Sequence, residues 1–404
     1  MDEAVGLAEA IELDIRFAEL VGVTRLRPGT YFGSGAIDRL KERLEAEAVD
    51  VAVVDTQLTP VQQQNLERAW KCKVLDRTGL ILEIFGARAR TREGTLQVEL
   101  AALSYQRSRL VRSWTHLERQ RGGFGFLGGP GETQIEADRR AIDDRLLTLK
   151  RDIADVRRTR DLHRTARRRD ANPTIALVGY TNAGKSTLFN RLTAADVEAR
   201  DRLFETLDPT MRGFTLPSGR TAILSDTVGF VSDLPHELVE AFQATLEEVR
   251  EADLLVHVRD AAHPDSEAQK QDVEDVLAQI RPVADDGGDG AAPLLEVLNK
   301  VDLLDPEARA VLANRARRGN EGAILISATS GEGIGELTQR FDELLGRNRR
   351  VVELRIPWSE GAVLSRVYER GEVLDRRDTD AFIELTVRLE SEDIERFARH
   401  AKPH

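Results

Sequence analysis

The sequence predicts an α/β protein whose largest domain is a mostly parallel β-sheet covered by helices. From Thr174 onward, helical segments alternate with short β-rich segments, namely TIALV, TAILSD, DLLVHV, LLEVLN and AILIS. This alternation indicates a parallel sheet, because a helix is the usual connection between parallel strands. The chain has 404 residues, 41% of them hydrophobic and 32% charged, which is enough for several domains that each bury a core.

Changes in sequence pattern predict four domains. They are a small α/β domain at 1–93, a helical hairpin at 94–170, a P-loop domain with the parallel sheet at 171–347, and a second small α/β domain at 348–404. In the first domain the pattern predicts helices near 36–47 and 60–70 and strands at 51–54 and 73–75. In the last it predicts helices at 360–370 and 391–400.

The second domain is predicted to be a hairpin of two antiparallel helices. Apolar residues recur at spacings of three and four on two long segments, as in Leu96, Leu100 and Leu103 and again in Leu146, Leu149 and Ile153. Between them, RGGFGFLGGPGETQ (121–134) contains six glycines and a proline, which predicts a loop. Residues 105–170 contain 17 Lys and Arg against 10 Asp and Glu, although the whole chain carries −12. This segment is either a solvated helical face or a surface for RNA.

The main chemical motif is GYTNAGKST, Gly179–Thr187, which follows the predicted strand TIALV. It matches the phosphate-binding pattern G-x-x-x-x-G-K-[ST], in which backbone N–H groups wrap a β-phosphate. Lys185 would neutralise the β- and γ-phosphate oxygens, and the Ser186 hydroxyl would coordinate Mg²⁺.

Three further motifs follow in order at the ends of predicted strands. DTVGF places Asp226 where it can hold Mg²⁺ through water, and the Gly229 amide can bind a γ-phosphate. NKVD ends in Asp302, whose carboxylate can accept hydrogen bonds from guanine N1–H and N2–H₂. SATSG, Ser327–Gly331, can direct backbone amides at guanine O6. Together the four motifs predict a guanine-nucleotide site.

The segment LFETLDPTMR (203–212) lies where such proteins carry a switch whose threonine completes the magnesium shell. Thr206 and Thr210 are both candidates. Phe230 follows Gly229, where many related enzymes have a glutamine that orients the attacking water. A phenylalanine cannot form that hydrogen bond, so slow intrinsic hydrolysis is expected.

Several motifs together resemble those of the HflX family of translational GTPases: GYTNAGKSTLFNRLT, LFETLDPT, DTVGFV, NKVD, SATSGEG and, most specifically, GGPGETQIEADRR at 128–140. The resemblance extends over nearly the whole chain, because DRTGLILEIFGARARTREG (76–94) fits the same family. It implies Ser186 and Thr206 as magnesium ligands and 204–208 as a segment that lines the nucleotide. It also implies that the first two domains contact ribosomal RNA of the large subunit.

The motifs and the resemblance predict an enzyme that hydrolyses GTP, with Mg²⁺ as cofactor and the large ribosomal subunit as partner. It would couple GTP binding and hydrolysis to ribosome dissociation or rescue. The alternative is a ribosome-assembly factor that uses GTP as a structural switch with negligible turnover. We expect a monomer without a membrane span. A cytoplasmic location is expected because Cys72 is the only cysteine, and peripheral association with a membrane stays open.

Lys185, Thr206 and Gly229 are the predicted catalytic residues. The predicted nucleotide-binding residues come from the same four motifs and the switch segment: Gly179, Tyr180, Thr181, Asn182, Ala183, Gly184, Lys185, Ser186, Thr187, Phe204, Glu205, Thr206, Leu207, Asp208, Asp226, Thr227, Val228, Gly229, Asn299, Lys300, Val301, Asp302, Ser327, Ala328 and Thr329.

Overall fold

Three β-sheets, of two, six and three strands, organise the computed structural model of the chain, so the predicted α/β class is confirmed. The structure describes residues 1–120, 130–168, 172–195, 203–204, 206–207, 210–232, 248–280, 292–318, 322–346, 349–379 and 381–400. None of the helices in these ranges is long and apolar enough to cross a membrane. The four predicted domain boundaries stay predictions.

The N-terminal part is a small α/β unit. Its elements are α1 (Asp2–Ala10), α2 (Ser34–Ala46), β1 (Val51–Val54), α3 (Pro60–Trp70), β2 (Lys73–Asp76) and α4 (Arg77–Arg88). Strands β1 and β2 pair in parallel, with Val51 opposite Lys73. Helix α3 begins where predicted because Thr59 and Gln62 form a capping box. Helices α1 and α4 were not predicted.

Two long helices follow, α5 (Arg92–Gln120) and α6 (Pro130–Arg168). Arg145 on α6 binds Glu99 with two hydrogen bonds of 2.7 and 2.9 Å, and Arg107 lies 2.5 Å from Asp143. Later residues of α5 therefore face earlier residues of α6, so the helices are antiparallel, as predicted.

The buried face of α5 differs from the predicted one. Leu146, Leu149 and Ile153 on α6 are buried, but on α5 the buried residues include Val98 and Ala101. Leu96, Leu100 and Leu103 are only half-buried. The reason is that α5 packs against α3 and α4 as well as α6, which turns a different face inward.

Part of the predicted loop is helical. Helix α6 begins at Pro130, so residues 130–134 belong to its first turns, where a proline is favoured because its missing N–H would be unpaired anyway. Residues 121–129 lie outside the described part of the chain.

The six-stranded sheet carries the predicted nucleotide site. Its elements are β3 (Thr174–Val178), α7 (Lys185–Thr193), β4 (Thr210–Thr215), β5 (Thr221–Asp226), β6 (Leu254–Asp260), α8 (Ser266–Ile280), β7 (Leu294–Asn299), α9 (Pro306–Arg318), β8 (Ile324–Leu325) and α10 (Ile334–Gly346). The strand order is β4-β5-β3-β6-β7-β8. Only the unpredicted edge strand β4 is antiparallel. The carboxyl ends of the parallel strands therefore meet at one edge of the sheet.

The C-terminal part is a three-stranded antiparallel sheet with two helices. Its elements are β9 (Arg349–Pro357), α11 (Gly361–Arg370), β10 (Glu372–Asp378), β11 (Phe382–Glu390) and α12 (Ser391–Phe397), with strand order β10-β11-β9. Both helices lie where the sequence predicted them. The edge strand β10 was not predicted, because EVLDRRD lacks a regular apolar alternation.

A histidine lies in the centre of the large sheet. His257 on β6 is 2% exposed, and its strand neighbour Arg259 pairs with Glu296 on β7, which Lys270 also contacts at 3.3 Å. Burial, aided by the charge of Arg259, lowers the pKa of His257 to about 4 from its ordinary 6.5, although Glu296 opposes the shift. The folded protein therefore keeps this imidazole neutral at pH values where the unfolded chain binds a proton.

We predict that His257 destabilises the fold as the pH falls from about 6.5 to 4. The unfolded chain is protonated first, so the free energy of unfolding should drop by about 2 kcal/mol between pH 7 and pH 5 through this group alone. Urea denaturation of the wild type and of His257→Gln at both pH values measures the difference in slope. Equal pH dependence in the two proteins would contradict the assignment.

Candidate functional site

The phosphate-binding motif forms the turn between β3 and α7. Gly184 is the residue before α7 and has φ +94°, a conformation that a side chain makes costly. A Cβ on Gly229 would lie 2.8 Å from the Cα of Thr181, so only glycine allows the second motif to approach the turn this closely. Asn182 also has positive φ, and the Thr181 hydroxyl oxygen is buried with no hydrogen-bond partner among the described residues.

Lys185 is buried inside this turn. Its Nζ donates hydrogen bonds to the carbonyl oxygens of Gly179 at 3.1 Å and Tyr180 at 2.8 Å. Burial lowers the pKa of Lys185 to about 8, and the nearby Asp226 carboxylate offsets part of that effect. An anion beside Nζ would restore the preference for the charged form, so the lysine suits a phosphate ligand.

Three oxygen atoms meet beside Lys185. Ser186 Oγ lies 2.9 Å from Thr206 Oγ1, and both hydroxyls donate to Asp226 Oδ2, at 2.7 and 2.8 Å. Asp226 is fully buried, and its Oδ1 has no partner in the described structure. Burial raises the pKa of Asp226, and the Ser186 hydrogen bond counteracts it.

These oxygens fit a magnesium ion. Mg²⁺ prefers oxygen ligands and usually combines a few protein ligands with water and substrate phosphates. No group of three or more His, Cys, Asp or Glu side chains in the described ranges is arranged for a metal ion. The hydroxyls of Ser186 and Thr206 could serve as direct ligands, and Asp226 Oδ1 could accept a hydrogen bond from a metal-bound water.

The switch segment brings one of the two candidate threonines to this cluster. Thr206 reaches Ser186 and Asp226, whereas Thr210 begins β4 and pairs with Asp226 through the backbone. The neighbouring side chains of Phe204 and Leu207 are buried in a core shared with the N-terminal unit. Glu205 and Asp208 lie outside the described residues.

The second switch, residues 226–232, which begins with the DTVGF motif, is held against the phosphate turn by backbone hydrogen bonds. Phe230 N donates to Gly179 O at 3.1 Å, and Thr181 N donates to Phe230 O at 2.7 Å. The Phe230 side chain is 2% exposed and belongs to the same core, as does Val228. The Thr227 hydroxyl donates to Leu177 O. The position after Gly229 therefore offers no group to orient a water.

The two guanine motifs contact the phosphate turn through Asn299. Its Nδ2 donates to Ala183 O at 2.8 Å, and its Oδ1 accepts from Ala328 N at 2.9 Å. Lys300 has φ +64° and pairs with Asp260 at 2.8 Å. Val301 is buried and Asp302 is exposed. The structure thus brings the motifs that contain Ser186, Asp226, Asn299 and Ser327 to one sheet edge.

An unpredicted polar cluster joins this site to the N-terminal unit. Tyr180 Oη donates to Glu3 Oε2 at 2.7 Å and accepts from Ser232 N at 2.8 Å. The buried Arg77 at the start of α4 binds Glu3, Asp55 and the Ser232 backbone and side-chain oxygens. We call Glu3, Asp55, Arg77, Tyr180 and Ser232 the interdomain cluster.

Charge and burial act together in the interdomain cluster. Burial opposes the charged form of Arg77, but hydrogen bonds to Asp55 and Glu3 overcome this and raise its pKa. Burial is also the main cause of the raised pKa of Tyr180. No sequence pattern identifies these residues as partners, because Glu3 and Ser232 are 229 residues apart in the chain.

The sheet, the phosphate turn and the order of motifs define a P-loop GTPase. Four family profiles match the chain: GTP-binding GTPase N-terminal at 1–86, GTP-binding GTPase Middle Region at 88–167, 50S ribosome-binding GTPase at 174–300, and HflX C-terminal domain at 311–402. The chain belongs to the HflX family of GTPases and is a GTP hydrolase.

Two relatives, both named GTPase HflX, support the assignment. The chain is 49% identical over 389 residues to GTPase HflX of Magnetococcus marinus, covering 96% of this chain and 88% of that protein. It is 43% identical to GTPase HflX of Escherichia coli, covering 92% and 85%. A solved GTP-binding protein from Sulfolobus solfataricus in complex with GDP matches with a TM-score of 0.46 and 24% identity, covering 85% of this chain and 94% of that one.

Asp302→Asn should weaken GTP binding and favour xanthine nucleotides. The amide places a donor where guanine N2–H₂ needs an acceptor, and loss of the charge-assisted pair should cost about 2 to 4 kcal/mol of binding free energy. Calorimetry with GTP and xanthosine triphosphate measures both affinities. The control is Asp305→Asn, because Asp305 caps α9 through the Ala308 amide and asparagine also caps helices well. Unchanged GTP affinity in Asp302→Asn would remove this residue from the site.

Proposed function

We propose that this GTPase binds the large ribosomal subunit and couples GTP binding and hydrolysis to ribosome dissociation or rescue. The main observation behind the proposed coupling is the interdomain cluster. Tyr180 of the phosphate turn and Ser232 of the second switch both donate hydrogen bonds to Glu3 of the N-terminal unit. The family profile at 174–300, described as a 50S ribosome-binding GTPase, supports the choice of partner.

In the proposed site, backbone amides of Gly179–Thr187 bind the phosphates and Lys185 neutralises their charge. Ser186 and Thr206 hold the magnesium ion, which when bound offsets the negative charge that develops during phosphoryl transfer. Asp226 aligns both hydroxyls through the hydrogen bonds described above. The amide of Gly229 donates to the γ-phosphate, which ties the second switch to the presence of GTP.

The isolated protein is expected to hydrolyse GTP slowly. Phe230 has no polar group, and its ring is buried between the two units. Charge on the transferring phosphoryl group can be stabilised by a group from outside the chain, which is worth roughly 10³ to 10⁵ in rate for P-loop enzymes. The ribosomal subunit is the proposed source of that group.

In the proposed mechanism, helix α4 connects the nucleotide site to the elements that would contact the ribosome. Arg77 at its start contacts the second switch, and Phe85 in its last turn packs edge-to-face on Phe204 of the switch segment at 203–212, with 4.7 Å between ring centres. Helix α4 also packs against α5 of the basic hairpin. A change in either switch would therefore move the elements that we assign to contact with ribosomal RNA, whose phosphates attract Arg and Lys.

The alternative function is a ribosome-assembly factor that uses GTP as a structural switch with negligible turnover. The buried Phe230 favours it, because the chain supplies no water-orienting group at that position. The two functions differ in one observable, the multiple-turnover release of phosphate in the presence of large subunits.

We predict that purified large subunits raise GTP turnover by about 10³-fold or more. Thr206→Ala should keep GTP binding but lose the stimulated rate, because this hydroxyl acts once the switch has closed on the metal. Thr210→Ala is the matched control and should keep the stimulation. Phosphate release over a subunit titration, with cosedimentation in GTP, GDP and a non-hydrolysable analogue, tests all three proteins. A fast basal rate that subunits leave unchanged would refute the proposal, and binding without turnover would favour the assembly factor.

We also predict that Glu3→Gln weakens the coupling between ribosomal subunits and GTP hydrolysis. The amide keeps the size of the side chain but removes the charge that Arg77 binds, so subunit stimulation should fall about tenfold. The affinity for GTP should stay within about twofold of the wild type. Glu19→Gln is the control, because Glu19 pairs only with Arg39 and Arg43 among its described contacts. Full stimulation in Glu3→Gln would show that the cluster has no role in coupling.

A further inference from the structure

Arg191 connects the phosphate-binding helix to the SATSG loop. It lies in the last turn of α7, the helix that begins with Lys185. Its Nε donates to the carbonyl oxygen of Ala328 at 3.0 Å, and a second guanidinium nitrogen donates to the carbonyl oxygen of Thr329. One side chain thus holds two consecutive carbonyl groups of the loop.

Hydrogen bonds within the loop fix its two ends. Ser327 N donates to Glu332 O at 3.0 Å, and Gly331 N donates to Ser327 O at 2.8 Å. Ser330 N donates to Ser327 Oγ at 3.1 Å. These bonds close the loop but do not involve the carbonyl oxygens that Arg191 binds.

The orientation of a carbonyl fixes that of the next amide. A trans peptide is planar, so its C=O and N–H groups point in opposite directions. When Arg191 holds Ala328 O, it therefore directs the Thr329 N–H away from α7, while Asn299 Oδ1 already accepts from Ala328 N. The backbone donors in the middle of the loop are thus set by two side chains.

We infer that Arg191 is a positioning residue for recognition of guanine O6. The inference rests on the proposed nucleotide site, in which amides of the loop bind O6. An arginine suits the task because its planar fork can reach two neighbouring oxygens at once, whereas a lysine offers a single charged centre. Arg191 itself does not contact the base; it acts by holding the peptide planes of residues 328–330.

The experiment compares two nucleotides on two proteins. 6-Thioguanosine triphosphate keeps the N1–H and 2-amino groups, whose hydrogen bonds Asp302 accepts in the proposed site. It replaces only O6, by sulfur, which is a weak acceptor. The wild type should bind GTP more tightly than the thio analogue. Arg191→Ala should bind GTP about tenfold more weakly. This is the usual effect of losing one hydrogen bond, here the bond from the loop amide to O6. Its affinity for the analogue should change less than about twofold, because no O6 contact remains to be lost.

Two further variants sharpen the comparison. Arg191→Lys should give an intermediate GTP affinity, because it can hold one carbonyl. Arg309→Ala is the control: Arg309 on α9 pairs with Glu332 next to the loop, and its loss should leave the preference for GTP intact.

Three results would overturn the role of Arg191. An equal loss for both nucleotides in Arg191→Ala would indicate a general effect on folding, and no loss for either would indicate no role. A wild type that binds both nucleotides equally would refute O6 recognition by the loop, the part of the proposed base site on which the role of Arg191 rests. That last result differs from the first two because it appears without any substitution.

Discussion

The arrangement of the molecule depends on one buried charge, the guanidinium of Arg77. A buried arginine must be paired and hydrogen-bonded, because leaving it unpaired costs several kcal/mol. Its partners come from three distant parts of the chain: Glu3 on α1, Asp55 after β1, and Ser232 in the second switch. The N-terminal unit and the nucleotide site therefore share a contact that neither can lose cheaply, and the apolar core around Phe85, Phe204 and Phe230 closes over it.

The interface between the two units also includes the residue that follows Gly229. The residue after Gly229 is the position from which a glutamine could orient water, but here its side chain belongs to the interface between units. The same phenylalanine therefore packs against the N-terminal unit and offers no group that could orient a water at this position. Burial of this side chain at the interface and the lack of a water-orienting group at this position therefore have one cause, the phenylalanine at 230.

Two buried ionisable groups of the nucleotide site have pKa values shifted by burial. Burial moves the pKa of Lys185 down and that of Asp226 up, so both groups are held where their ionised forms are costly. Phosphate oxygens and a magnesium ion would relieve these costs, since each supplies the opposite charge. Binding therefore changes the electrostatics of residues at the ends of β3 and β5, next to the backbone bonds that hold the second switch.

Much of this protein follows from the sequence by itself. The parallel sheet, the hairpin, most helix limits and the four motifs are local patterns, because periodicity, caps and glycines act within a few residues. Only the tertiary structure placed the Thr206 hydroxyl beside Ser186 and Asp226, turned Val98 and Ala101 inward, and added the edge strand β4. It also brought Glu3 and Arg77 to Tyr180, and Arg191 to the SATSG loop. These contacts join residues far apart in the chain, and their side chains carry no local pattern that specifies a partner. Their positions are set by the packing of whole elements.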